Sequence, residues 1–481
     1  MNLSMPQFSA ALPEIFLLSM ACIILLVDVY IAARYRIVTY LLVQLSLIIA
    51  FLLTLPQFNA DMLITFSGHY IVDKLAVLTK LFVYLFSFFA FAYAQAYLKS
   101  RHIPRSEYYL LGIFAVLGMS VMASAYSLLT VYLGLELLSL SLYAMVALYK
   151  DSNTATEAAM KYFVLGGLAS GILLYGISIL YGVTGNIQMN TIAQVLQNRH
   201  DIVPLLALIF VLAGLIFKFG AVPFHMWVPD VYQGASTPTT LFIASAPKVA
   251  AFAITVRILV QAMPSLSTNW EQLLIVMAVL SMFLGNVLAI AQTNLKRMLA
   301  YSSIAHIGYT LLGILAGPNS TDGYSAAMFY IFTYVLVAAG AFAVITLMSK
   351  DGIEFDKLED YRGLNARNPW LAFMMLLLMF SMAGVPPTVG FFAKLGLLEA
   401  LIQAHLVWLA VLALIFALIG AYYYLRVVML MYFEEPAETA ANLPVKLSPA
   451  MTTAITINGS AALLLGLLPS SFIDLCRITI G

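Results

Sequence analysis

Among the ionisable side chains inside otherwise apolar stretches, besides Lys80 and Arg257, are Glu136 in VYLGLELLSLSLYAM, Lys218 in FKFGAVPFHMW, Lys248 in ASAPKVAAF, His306 in SSIAHIGY and Lys394 in AGVPPTVGFFAK. A charge at bilayer depth costs about 2.5–3.5 kcal/mol even on the lenient insertion scale, so such residues point to proton or ion pathways. Carboxylate, ammonium and imidazole are also groups that take up and release protons. A glutamate–lysine pair at about 4 Å and an effective dielectric near 20 gains roughly 4 kcal/mol. Joining and parting Glu136 and Lys218 would therefore change how tightly the lysine holds its proton. Lys161, near one end of its own apolar stretch, is a sixth candidate.

Each residue also has a plainer reading. Glu136 can be a helix-bonded glutamate that only packs, and Lys218 can cap exposed carbonyls, where a helix dipole favours a cation. A lone histidine such as His306 is often a satisfied core residue, although its ordinary pKa near 6.5 suits a relay. Lys161 can snorkel to the interface. His225 can simply start a helix. Lys248 and Lys394 are harder to explain in these ways, because Lys248 has more than about ten apolar-run residues on either side and Lys394 follows a break.

The elements that must position these groups are two long, interrupted segments. One runs from about 202 to 232 and is broken by Gly220 and Pro223. The other runs from about 370 to 402 and is broken by Gly384, Pro386, Pro387 and Gly390. A straight membrane helix needs about 20 residues. Paired interrupted helices in corresponding halves of a membrane protein are the best sequence-level pointer to a binding or ion site.

Composition agrees with a membrane setting. Of the 481 residues 63% are hydrophobic and 9% charged, against about 25% charged in soluble domains. Cys22 and Cys476 stand at opposite ends of the sequence, and no thiolate-metal, haem-attachment or nucleotide-binding motif occurs. The first apolar segment has neither a basic start nor a small-residue cleavage site and reads as a retained helix.

The apolar runs predict an all-α membrane protein of about 14 spans, near 8–31, 37–56, 71–98, 107–124, 127–149, 158–181, 202–232, 237–261, 271–291, 298–316, 323–349, 370–402, 405–433 and 449–473. Spans 7 and 12 are the broken ones. Basic residues concentrate in the odd-numbered connections: Arg34, Arg36, Lys99, Arg101, Arg105, Lys150, Lys296, Arg297, Lys350, Lys357, Arg362, Arg367 and Lys446, against Arg199 and Arg477 elsewhere outside the spans. By the positive-inside rule the odd connections face the cytoplasm and both termini face the other side. Gly220 and Gly384 are 164 positions apart, and spans 4 and 9 begin at a similar separation. Spans 4–8 and 9–13 thus read as two five-helix repeats, the second inverted because five is odd. The organisation expected is a three-helix segment over 1–106, a first repeat over 107–261, an inverted repeat over 271–433 and a final helix over 434–481. Gly167 and Gly171 form a G-x-x-x-G that close helix packing explains. Asp28, Asp73 and Lys74 read as interfacial, and 185–201 as a short surface helix.

Taken together, LGLELLSLSLYAM, FKFGAVPFHMWVPDVYQGAST, ASAPKVAAF, NLKRMLAYSSIAHIGY and AGVPPTVGFFAK resemble the antiporter-like membrane subunits of respiratory complex I, the proton-pumping NADH:quinone oxidoreductase. LELLSLSLYAM and APKVAAF resemble the subunit N branch more than its sisters L and M. The resemblance covers nearly the whole sequence, most tightly 126–400. It implies a proton-translocating inner-membrane subunit with no redox centre of its own, NADH, FMN, iron–sulfur clusters and quinone being bound by other subunits. It also implies neighbours that include subunits K and M. By resemblance, Glu136 and Lys218 form the coupling pair, Lys248 is the central relay, His306 continues to Lys394, and Lys161 joins the first half-channel. A subunit of a multi-component cation/proton antiporter, or a structural subunit whose charges serve assembly, are the alternatives.

Overall fold

The structure is a computed structural model that describes residues 6–32, 36–101, 103–199, 201–349, 353–436 and 448–480. Arg34, Lys350 and Lys446 lie outside the described residues. Lipid offers the backbone no hydrogen bonds, so long apolar runs must close their bonds internally as helices. Among the described residues 12 helices are long and apolar enough to cross a membrane, and Val203–Phe219 and Pro369–Ala383 are shorter apolar helices.

In chain order the elements are α1 (Leu12–Tyr30), α2 (Ile37–Thr54), β1 (Leu63–Thr65), β2 (Tyr70–Val72), α3 (Lys74–Ser100), α4 (Arg105–Ala123), α5 (Leu128–Ala147), α6 (Asn153–Thr184), α7 (Met189–Leu196), α8 (Val203–Phe219), α9 (Trp227–Gly234), α10 (Thr237–Ala244), α11 (Ala246–Val256), α12 (Ser267–Ile290), α13 (Leu295–Ala316), α14 (Gly323–Met348), α15 (Leu364–Arg367), α16 (Pro369–Ala383), α17 (Val389–Gln403), α18 (Val407–Phe433), α19 (Pro449–Leu467) and α20 (Ser470–Ile480). They form two compact units. One comprises Met1–Phe91, His102–Phe219 and Ala246–Gln272, and the other Ala92–Arg101, Gly220–Ser245 and Leu273–Gly481. The half-helix α9, beyond the first break, therefore groups with the second unit and not with α8.

In the first unit β1 and β2 pair antiparallel, Leu63 opposite Val72. The region 185–201 holds the short helix α7, which buries Met189, Ile192 and Leu196. Helices α4 and α5 cross closely: a Cβ on Gly118 would stand 2.8 Å from Gly134 O and 2.6 Å from Leu138 N. In the second unit α12 and α13 cross the same way, a Cβ on Gly285 meeting Tyr301 O at 2.8 Å and Ala305 N at 2.6 Å. Each member of the second crossing stands 167 positions after its counterpart (118 to 285, 134 to 301, 138 to 305). The N-caps keep the same interval: Ser127 accepts from Thr130 N, and Asn294 from Arg297 N.

Three readings from the sequence need correction. Span 8 is not one continuous helix. It is interrupted at Ser245, whose φ −113° and ψ −104° lie outside the helical region, and it ends in a π turn over Arg257–Ala262. Pro247 is the cause legible in the sequence, since it lacks an N–H to donate and crowds the preceding turn. Asp73 keeps the place at a span end that the sequence suggests, at the start of α3, but is not a lone carboxylate there, because the buried Arg257 binds it. Finally, Gly167 and Gly171 face open space, with nothing within 4 Å of an added Cβ, so no packing among the described residues accounts for them.

Candidate functional site

In the first unit, α8 ends at the break with Lys218 in its last turn. Its ammonium donates to Ser139 Oγ at 2.6 Å. The Ser139 hydroxyl donates to Leu135 O on its own helix, so its lone pairs are left to accept from the lysine. Ser139 and Glu136 are three residues apart on α5 and share a face. Glu136 lies within electrostatic reach of Lys218, yet its Oε1 is buried with no hydrogen-bond partner. The structure therefore holds the lysine on the serine, next to an acceptor left unsatisfied. Lys218 also lies over the Tyr143 ring, 6.0 Å from its centroid.

Lys248 is the third residue of α11, directly after the interruption at Ser245, and is 3% exposed. Lys161 is on the outside of α6, 42% exposed, and forms an ion pair with Glu157 at 2.8 Å. Its geometry is that of the snorkelling alternative. In the second unit, His225 O accepts from Val228 N, the helix-start role.

The first break turns at Gly220 with φ +74° and the second at Gly384 with φ +87°, and each contains a cis X-Pro bond, Val222–Pro223 and Pro386–Pro387. A Cβ on Gly220 would stand 2.3 Å from Val228 Cγ2, so both the turn and the close approach require glycine there. Beyond the second break α17 returns Lys394 toward the end of α16. Its ammonium donates to Met382 O at 3.0 Å and Ala383 O at 2.8 Å. The carbonyl-capping role considered for Lys218 is thus filled at the second break, by Lys394. The negative end of the α16 dipole favours the cation there.

His306 on α13 is buried and bonded at both ring nitrogens, Nδ1 to Tyr330 Oη at 2.7 Å and Nε2 to Tyr424 Oη at 2.9 Å. Its ring stacks on Tyr334 with centroids 4.5 Å apart. Tyr424 Oη bonds Ser302 Oγ and stands 3.2 Å from Tyr423 Oη, whose one proton is donated to Asn286 Oδ1 at 3.0 Å. One cavity is lined by His306, Tyr330, Thr333 and Tyr334 on one side and by Ser381 and Lys394 on the other. It offers about 20 Å³ to a water-sized sphere, enough for a water molecule. His306 and Lys394 are thus brought to one polar space.

The sequence reading missed Ser139 and the tyrosines around His306. It also missed two buried ion pairs in the first unit: Lys80–Glu14 at 2.5 Å, shared with Tyr70, and Arg257–Asp73 at 2.6 Å. Lys80 and Arg257 were visible as charges within apolar runs, but their partners lie far away in sequence. No group of three or more His, Cys, Asp or Glu placed to hold a metal occurs among the described residues.

A family model described as "NADH:quinone oxidoreductase/Mrp antiporter, TM" matches residues 125–420. NADH-quinone oxidoreductase subunit N of Thiobacillus denitrificans is 53% identical, the alignment covering 100% of this chain and 99% of that protein. The subunit N of Coxiella burnetii is 51% identical over 97% of each. A chain in a structure of respiratory complex I from Thermus thermophilus is 33% identical, with 97% of this chain and 99% of that one covered and a TM-score of 0.83. A chain of the Mrp complex from Dietzia sp. is 20% identical with a TM-score of 0.86 over 98% and 97%, a likeness of fold. With its two breaks, buried lysines and buried histidine in place, the chain belongs to the antiporter-like membrane family of NADH:quinone oxidoreductase and, within it, to the subunit N proteins.

Proposed function

We propose that the chain moves protons across the membrane as a membrane-arm subunit of NADH:quinone oxidoreductase, through Glu136, Lys218, Lys248, His306 and Lys394. The observation that carries this reading is the cavity shared by His306 and Lys394, with the lysine held by backbone carbonyls. A lysine bonded to neutral acceptors can give up its proton without leaving a carboxylate unpaired. Lys218 on Ser139 is held in the same way. When Lys218 turns from Ser139 to Glu136 it gains an opposite charge and holds its proton more firmly; when it returns, the proton is released onward. The order Lys218, Lys248, His306, Lys394 follows the inverted repeat, which the recurring crossings and N-caps support. Lys161 joins this path at its inner end only through rearrangement of its pair with Glu157.

NADH, FMN, iron–sulfur clusters and quinone belong to other subunits in this reading, and the neighbours include subunits K and M. The membrane is the bacterial inner membrane, with both termini on its outer side. Single cysteines at Ser100 and Ser320, on connections of opposite predicted side, should then be labelled from opposite faces by an impermeant thiol reagent. Labelling from one face would rule out this topology.

The functional test is the whole complex reconstituted in vesicles with Lys248→Ala. Proton uptake driven by NADH should fall by about tenfold or more, the scale of removing one positioned acid–base group. Unchanged pumping by an assembled Lys248→Ala complex would remove the basis of this reading.

A further inference from the structure

We propose that Asp73 and Arg257 are a positioning pair for Lys248, setting the place of the short helix that carries it. The inference rests on the relay role proposed for Lys248. Helix α11 is regular only from Ala246 to Val256, between the interruption at Ser245 and the π turn beginning at Arg257. A helix interrupted at one end and wound into a π turn at the other takes its position in part from side-chain anchors, beside its own backbone ladder. π turns inside helices often mark functional positions.

Arg257 is that anchor. It is fully buried, and its guanidinium grips Asp73 with two bonds, Nη1 to Oδ2 at 3.0 Å and Nη2 to Oδ1 at 2.6 Å. Its Nε donates to Ala123 O at 3.1 Å, at the end of α4, and Nη1 also reaches Gln261 Oε1 at 3.2 Å. Such a planar, two-bonded grip fixes orientation as well as distance.

Asp73 is fixed in turn. Its Oδ1 accepts from Ala76 N at 2.9 Å, capping α3. On α3, Lys80 is clamped by Glu14 of α1 at 2.5 Å and donates to Tyr70 Oη at 2.9 Å, while Tyr70 donates to Glu14 Oε2 at 2.8 Å. Burial raises the Asp73 carboxyl, but the Arg257 charge and bonds and the Ala76 amide outweigh it and hold the group below the usual carboxylate range. Lys248 lies nine residues before Arg257 along one helix, about 13 Å at the helical rise. A shift at the anchor is transmitted along the helix axis to the ammonium.

The test is the reconstituted complex carrying Arg257→Gln, Arg257→Lys, the exchange Asp73→Arg with Arg257→Asp, and Lys248→Ala as reference. In assembled complex, Arg257→Gln should lower the turnover of NADH-driven pumping by about tenfold, the scale of a small misplacement of a reacting group, with the quinone KM unchanged. The exchange should restore part of that loss. Arg257→Lys keeps the charge but not the two-bonded grip, and should fall between Arg257→Gln and the native protein. Should Arg257→Gln fail to assemble, the lysine variant decides: native turnover and pumping per assembled complex overturn the proposal. Loss in Lys248→Ala with native rates in every Arg257 variant likewise reduces the pair to a fold contact. Native pumping in Lys248→Ala would instead strike the relay reading itself.

Discussion

Replacing Lys218 with alanine is expected to cut quinone-coupled proton pumping by about tenfold or more while the complex still assembles. The ammonium occupies a place between Ser139 Oγ, which it holds at 2.6 Å, and Glu136, whose Oε1 has no partner. Removing the amine removes the group that moves between them. Glu136→Gln should also lower pumping, because the amide offers the lysine a bond but no charge. Combining the two should cost much less than the sum of the single losses, with a coupling of about 0.5–3 kcal/mol, as for residues that interact directly. Pumping rates in vesicles for both single variants and the double variant supply the cycle. Strictly additive losses would show that the two residues act independently and would end the switch model.

The second large effect is expected at Lys394, where arginine separates two roles that alanine confuses. Arginine keeps a permanent positive charge at the end of α16 and still donates to Met382 O and Ala383 O, but it does not release its proton. If Lys394 carries protons, Lys394→Arg assembles as the native chain does and yet pumps about as poorly as Lys394→Ala. If the lysine serves only to cap the broken helix, arginine restores pumping that alanine loses. Proton uptake per NADH oxidised, measured with equal amounts of assembled complex, reads the difference. Pumping by the arginine variant at the native rate would make Lys394 a cap and move the exit elsewhere.

The two breaks were legible in the sequence because their causes are local. Glycine at positive φ and proline without an amide donor act on their own turn, so Gly220, Pro223, Gly384 and Pro386 announced the interruptions and the lysines beside them. Pro247 sent the same message, but within a run of small apolar residues the interruption at Ser245 left no glycine to mark it. Partners were not legible, because pairing is tertiary. Lys80 and Arg257 were evident as charges without company in apolar segments, whereas Glu14 and Asp73 looked like ordinary residues near helix ends. His306 was visible, but the hydroxyls that bond its ring come from α14 and α18, and nothing in the spacing of Tyr330 or Tyr424 says that they meet. The same holds for Ser139, one of several serines on α5 and distinguished only by what reaches it.

Tyr330 Oη, the two ring nitrogens of His306, Tyr424 Oη and Ser302 Oγ form one unbroken run, and every hydroxyl in it can donate or accept. Exchanging the imidazole tautomer and turning each O–H produces the reverse arrangement with all heavy atoms in place. Neither sense has an extra bond. In the proposed path the run is therefore a conduit whose bonds impose no direction. Each charge moved against 100 mV costs about 2.3 kcal/mol, and this segment contributes nothing to deciding which way that work is done. Rectification has to come from groups that change place, as the ammonium of Lys218 does in the proposed switch. On the proposed path, a gradient that exceeds the drive of the redox reaction would send the backward current through the same tyrosines and histidine.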